Sequence, residues 1–166
     1  MTSSESPQYR ICLVCTGNTC RSPMSEGILR DLLTSHGARW RVQSGGLHAF
    51  EGAPASPDSV AAAREHGVDI AEHRARVFSP ERARTCQLIL VHSGEHLHRI
   101  ASWGDDIAAK VFLMKAYPVA GDPGPEAWVA DPIGQGVEAY RRTFLELDEV
   151  LRRIVPQIVS RAGEGE

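Results

Sequence analysis

Hydrophobic residues along the chain fall into short unbroken runs, separated by segments in which they recur every third or fourth position. Ile11-Cys12-Leu13-Val14, Leu88-Ile89-Leu90-Val91 and Val111-Phe112-Leu113-Met114 show no alternation with polar residues. That pattern predicts strands buried on both faces of a parallel sheet. Trp40 to Ser44 reads as a further strand. Between the runs, Met24, Ile28, Leu32 and Leu33 follow helical spacing, with Pro23 suited to a first turn and Gly37 placed just past the last. Ser59 to His66 before Gly67, the stretch opened by Ser79-Pro80-Glu81, and Glu95 to Ser102 read as shorter helices. Gly45 to Pro57 and residues 117–136, rich in Pro and Gly, read as loops. From Val137 onward, Tyr140, Phe144, Leu147, Leu151, Ile154 and Ile158 stripe one face of a long helix. Pro156 is expected to kink or end it, because proline lacks an amide hydrogen and crowds the preceding turn.

Strands alternating with helices predict an α/β domain: a four-stranded, mainly parallel sheet flanked by helices, with any ligand at the carboxyl ends of the strands. At 166 residues there is material for one core. Polar residues 1–8 and 161–166 are expected to be flexible tails around a domain spanning 9–160. A net charge of -3 provides no global positive field, which argues against a general nucleic-acid or anionic-membrane binder. No run reaches the roughly 18 apolar residues of a spanning helix, and the N-terminus has no apolar signal core. A cytoplasmic protein is expected.

The four cysteines are Cys12, Cys15, Cys20 and Cys86, three of them crowded into one segment of a chain long enough to fold without staples. Thiols in a reducing compartment fit this better than structural bridges. Structural zinc fits poorly, because Cys12 to Cys15 spans an expected strand and no second ligand pair follows at finger-like spacing. No metal is expected.

The segment that carries chemistry is Val14-Cys15-Thr16-Gly17-Asn18-Thr19-Cys20-Arg21-Ser22-Pro23. A thiol stands at the end of a buried strand, an arginine follows after five residues, and a helix begins at once. The amides of such a turn, together with a helix N-terminus, make a cradle for a tetrahedral oxyanion. The same field favours thiolate, and thiols so placed titrate below the free value of about 8.5, which makes Cys15 the candidate nucleophile. Arg21 offers a planar fork of donors that lysine lacks. Thr16, Gly17, Asn18, Thr19 and Cys20 complete the phosphate-binding loop. Gly17 permits close backbone approach, and Asn18 tolerates a left-handed conformation. Ser22 is placed to donate its hydroxyl to the thiolate.

This run, the chain length and the late Asp131-Pro132 resemble the low-molecular-weight protein tyrosine phosphatase family over about residues 9 to 160. The resemblance implies a metal-independent and cofactor-independent phosphatase working through a phosphocysteine. Cys15 would attack phosphorus, Arg21 and the loop would stabilise the transition state, and Asp131 would serve as general acid and then base. Asn18, Ser22, Ser44 and His73 match the family's loop-orienting positions. Cys20 matches a thiol that can pair with the nucleophile, implying a redox switch between Cys15 and Cys20. Cys12 and Cys86 are expected as core thiols, and the other histidines as structural or solvent-facing. Arg74, Arg76, Arg82 and Arg84 read as a solvated basic face, with the option of favouring acidic phosphoproteins.

Two positions bear on substrate. Thr19 stands where tyrosine-directed members usually carry a bulky aliphatic residue, and Ile133-Gly134 stands where they carry an aromatic pair. The run CTGNTCRSPMSEG and the segment DPIGQGVEAY look most like the bacterial protein-arginine-phosphatase branch. Phosphorylated proteins are the expected partners, with phosphoarginine the expected group, Thr19 selecting it and Ile133 forming an apolar wall. The alternatives are a phosphotyrosine phosphatase, an arsenate reductase on the same fold, which normally needs a further cysteine pair around residues 80 to 90, and a non-enzymatic phosphoprotein-binding module.

Overall fold

The computed structural model describes residues 8–164. Four strands, β1 (Tyr9–Cys15), β2 (Trp40–Gly46), β3 (Leu88–Val91) and β4 (Val111–Leu113), form one sheet in the order β2-β1-β3-β4. All three pairings are parallel. Six helices accompany them: α1 (Arg21–Leu33), α2 (Pro57–Arg64), α3 (Pro80–Thr85), α4 (Gly94–Ala101), α5 (Asp105–Ala108) and α6 (Val137–Glu164).

The unbroken apolar runs follow from the layering. On β1, Ile11 and Leu13 face a core built with Met24, Ile28, Leu29, Phe144 and Leu151 from α1 and α6. Cys12 and Val14 face the other way, into a second core with Leu97, Ile100 and Ile107 from α4 and α5. With both faces covered, no position on the strand is left for a polar residue. Each large side chain so buried contributes about 1.5–3 kcal/mol.

The helices begin where the sequence supplies caps. The hydroxyl of Ser56 accepts from the Ser59 amide at the start of α2, and that of Ser79 accepts from the Arg82 amide at the start of α3, with Pro57 and Pro80 in the first turns. Helix α5, too short for a periodic signal, was not expected. Two expectations about the C-terminus are corrected, the ending of the last helix at Pro156 and the tail from residue 161. Pro156 neither ends α6 nor keeps it from reaching Glu164. It lies on the exposed face, where one hydrogen bond is lost, while Ile154, Val155, Ile158 and Ala162 stay buried on the other. The tail expected from residue 161 is therefore helical as far as Glu164; residues 165–166, and residues 1–7 of the expected N-terminal tail, lie outside the described residues. No helix among the described residues is long and apolar enough to cross a membrane.

Candidate active site

β1 ends at Cys15 and α1 starts at Arg21, so residues 16–20 turn across the carboxyl end of the sheet. The turn depends on Asn18, the one non-glycine residue with positive φ among those described, at 57°. Its side chain donates to Ser22 Oγ at 2.8 Å and to Ser44 Oγ at 2.9 Å, while its Oδ1 accepts from the Arg76 amide at 2.9 Å. His73 Nε2 donates to the Asn18 carbonyl at 2.8 Å. Three separate segments thus hold one left-handed residue, which is how a conformation disfavoured for L-amino acids is kept. Gly46, at the end of β2, lies against this turn so closely that an added Cβ would sit 2.6 Å from the Thr16 carbonyl oxygen and 2.9 Å from the Asn18 nitrogen.

Cys15 is 2% exposed, and its Sγ lies 2.9 Å from Ser22 Oγ. Cys20 occupies the capping position of α1 and makes no side-chain bond to the helix amides. Its sulfur instead contacts Tyr140 Oη at 3.3 Å, Thr19 Oγ1 at 3.7 Å and Ser56 Oγ at 3.8 Å. Burial, and then the bond with Cys20, pushes the Tyr140 phenol up to about 12, so it stays protonated and able to donate to that sulfur.

Arg21 is buried and fixed from above. Its Nη1 donates to the Val129 carbonyl at 2.8 Å, and its Nη2 lies 3.5 Å from Asp131 Oδ2. The Pro- and Gly-rich segment that precedes Asp131 is well tethered. The Val129 amide donates to the His92 carbonyl at 2.7 Å, and Asp122 Oδ1 accepts from Trp128 Nε1 and the Gly124 amide. Asp131, with its side chain 41% exposed, is anchored through Oδ1 by the Ile133 amide at 3.1 Å. One oxygen is thus oriented and the other faces Arg21. Ile133 (64% exposed), just after Asp131, and Phe50 (85%), on the loop after β2, are large apolar side chains left open to solvent.

Two histidines at the site escaped the sequence reading. His96 is buried and reaches Thr16 Oγ1 through Nε2 at 2.9 Å and Ser93 Oγ through Nδ1 at 3.0 Å. Burial, reinforced by the charge of Arg21, lowers its pKa to about 4 against a weaker pull from Asp131. His92 donates from Nδ1 to the Val14 carbonyl at 2.7 Å, and its Nε2 lies 2.8 Å from Ser25 Oγ. Burial, then the charge of Arg21, takes it down to about 3. Both are neutral near pH 7, so they brace the loop without adding positive charge beside Arg21. Apart from Ser93, three positions before His96, their partners lie 67 to 80 positions away, so neither carries a local sequence signal for the site. Cys12 and Cys86 are buried together in the second core. Among the described residues, no cluster of three or more His, Cys, Asp or Glu side chains is placed to hold a metal ion.

A strand-end thiol, a loop that closes on a buried guanidinium and a carboxylate 3.5 Å from that guanidinium are the parts a cysteine-dependent phosphatase uses. Residues 10–163 match the family model of the low molecular weight phosphotyrosine protein phosphatases, and the chain belongs to that family. It is 34% identical over 148 residues to the protein-arginine-phosphatase of Bacillus subtilis (strain 168), covering 89% of this chain and 95% of that one. It is also 34% identical over 139 residues to the low molecular weight protein-tyrosine-phosphatase PtpB of Staphylococcus haemolyticus, covering 83% and 91%. Among solved structures, a Cys-to-Ser mutant of YwlE arginine phosphatase with a phosphorylated active-site serine is similar at a TM-score of 0.79 and 32% identity, covering 90% of this chain and 95% of that one.

Proposed function

We propose that this phosphatase hydrolyses phosphoarginine on proteins. The observation that carries the reading is Thr19 within Cys15-Thr16-Gly17-Asn18-Thr19-Cys20-Arg21, in a chain similar to the Bacillus subtilis protein-arginine-phosphatase. Thr19 is half-buried on the loop, with its carbonyl engaged by the Ser56 amide and Ser59 Oγ. Threonine is about one methylene smaller than isoleucine and offers a hydroxyl, so it leaves room and a polar partner beside a planar guanidinium. The Asp131 carboxyl group can hydrogen-bond to the guanidinium nitrogens.

In this reading Cys15 Sγ attacks phosphorus while Ser22 Oγ, at 2.9 Å, donates to the thiolate. Arg21 and the loop hold the equatorial oxygens. As the P–N bond breaks, Asp131 protonates the departing guanidine nitrogen, leaving a phosphocysteine. The carboxylate then takes a proton from water as the water attacks phosphorus, and phosphate leaves with Cys15 as thiolate.

The test compares kcat/KM on a phosphoarginine protein and a phosphotyrosine peptide. Preference for phosphoarginine is expected, and Thr19→Ile should shift the ratio toward phosphotyrosine by about tenfold or more, the scale of one pocket group. A wild-type preference for phosphotyrosine would instead establish the second reading. That reading has its own support in the exposed Phe50 and Ile133, apolar surfaces suited to a phenyl ring. An arsenate-reducing relay has little to draw on: Cys86 is packed with Cys12, and its thiol donates to the Arg82 carbonyl.

We also propose the Cys15–Cys20 redox switch. Peroxide converts the Cys15 thiolate to a sulfenic acid, and the Cys20 thiol displaces the oxygen as water to close a disulfide. With both cysteines free, Cys20 Sγ lies 3.3 Å from Tyr140 Oη. Mild peroxide should therefore inactivate the enzyme in a form that dithiothreitol restores, whereas Cys20→Ser should lose activity irreversibly. Equal recovery in that variant would sink the switch.

A further inference from the structure

Away from the mouth of the phosphate loop, a cleft of about 680 Å³ opens along the free edge of β2. Its floor is Trp40, Val42 and Ile70, and its walls are α1, the 69–76 segment and α3. Five arginines (Arg30, Arg41, Arg74, Arg76 and Arg82) line it against three carboxylates, those of Glu26, Asp69 and Glu72. A chain of net charge -3 thus gathers a positive surplus in one concavity. Several of these charges are already used. Arg30 pairs with Glu26 at 3.0 Å, Arg74 donates to the His73 carbonyl, and Arg82 donates to the carbonyls of Val77 and Ser44. The guanidinium groups of Arg41 and Arg76, both exposed, have no ion pair among the described residues.

The cleft shares its walls with the supports of the loop. Ser44, His73 and Arg76 line it, and these are the residues whose hydroxyl, ring and amide bond Asn18. Whatever settles there touches residues that keep the one left-handed non-glycine residue of the phosphate loop in place.

We propose that this cleft is a binding site for a small organic polyanion, separate from the phosphate loop and coupled to it through Asn18. The volume suits a small molecule, guanidinium groups recognise carboxylate or phosphate oxygens through paired donors, and the apolar floor accepts a ring or carbon skeleton. Coupling is reciprocal by linkage: an occupant that steadies Ser44, His73 and Arg76 alters the loop's affinity for phosphate, and phosphate alters the cleft's affinity by the same factor. The site does not depend on whether the substrate is phosphoarginine or phosphotyrosine.

A planar tricarboxylate, benzene-1,3,5-tricarboxylate, is a suitable probe because the phosphate loop is built for tetrahedral oxyanions. Calorimetric titration of the wild-type chain should show saturable one-to-one binding. The Arg41→Gln/Arg76→Gln variant, checked for an unchanged melting temperature, should bind at least about tenfold more weakly. Saturating inorganic phosphate should leave the stoichiometry intact while shifting the affinity. The site is overturned by the absence of saturable binding at millimolar probe, by equal affinity in the arginine variant, or by complete displacement of the probe by phosphate. Arginine-dependent binding of identical affinity with and without phosphate overturns the coupling. Wild-type kinetics with a small aryl phosphate provide a second readout: a change in kcat at saturating probe that vanishes in the double variant supports the link, whereas a rise in KM alone marks competition at the loop and overturns it.

Discussion

Replacing Cys15 with serine is expected to abolish turnover, by on the order of 10^4-fold or more, while leaving the fold and the loop intact. The residue is 2% exposed and its Sγ has a close polar partner in Ser22 Oγ, which an alcohol can satisfy as well as a thiol. The substitution therefore removes nucleophilicity and little else. An alcohol at that position remains protonated near neutral pH, so attack is slow. Once it occurs, the phosphoserine formed is a far poorer electrophile than a phosphocysteine, and the water step stalls. A similar structure holds such a phosphorylated serine. Incubation of the variant with a phosphorylated protein should leave a fraction of it heavier by one phosphoryl group, read by intact mass, with the modification mapped to residue 15. Retention of turnover within about tenfold of wild type would remove Cys15 from the nucleophile's role, since other contributions to phosphoryl transfer survive the change. Binding of inorganic phosphate, unchanged in the variant, separates loss of chemistry from loss of the loop.

What could be read from the chain follows from how far apart the cooperating residues lie in sequence. The strand at Ile11-Cys12-Leu13-Val14 was legible because covering both faces of a sheet leaves an unbroken apolar run. Cys15 to Arg21 was legible because one turn carries a whole anion cradle. The end of β2 was less legible: Gly45-Gly46 reads as a loop, whereas the structure continues the strand to Gly46 because only a residue without a side chain fits against Thr16 and Asn18. α6 passes Pro156 because burial on one face outweighs a single missing hydrogen bond on the other. His92 and His96 are isolated polar letters in sequence, and only the fold supplies Val14, Ser25 and Thr16 as their partners. The basic residues Arg74, Arg76, Arg82 and Arg84 read as a solvated face. In the structure, three of the four arginines from that reading line one cleft with Arg41 and Arg30 from elsewhere in the chain. Asp131 needed the family resemblance, because an Asp before Pro is ordinary turn chemistry. Its approach to Arg21 comes from the pinning of Val129 to both His92 and Arg21.

Asp131→Asn is expected to divide substrates by their leaving groups. An amide side chain keeps the size and can still accept from the Ile133 amide, as Asp131 Oδ1 does at 3.1 Å, but it can neither deliver nor take a proton. The departing nitrogen of phosphoarginine is strongly basic and cannot leave as an anion, so formation of the phosphocysteine should slow by about 10²–10⁴-fold, the usual range for a positioned general acid. An aryl phosphate bearing a nitro group leaves as a stable phenolate and needs little help in that step. Its second step is another matter, because the attacking water has lost its base. With this substrate the variant should release one equivalent of phenol per enzyme in a burst and then turn over slowly, whereas phosphoarginine should give no burst. Binding of inorganic phosphate should move little in comparison, because Arg21 stays fixed by the Val129 carbonyl at 2.8 Å when its neighbour at 3.5 Å loses charge, while the apparent KM for the burst substrate falls as its second step becomes limiting. Equal losses on both substrates with no burst on either would assign Asp131 to holding Arg21 rather than to proton transfer. The carboxylate's two oxygens make that distinction testable: one is occupied by the Ile133 amide and the other faces Arg21 across a gap longer than a hydrogen bond, which leaves it free to meet the leaving nitrogen.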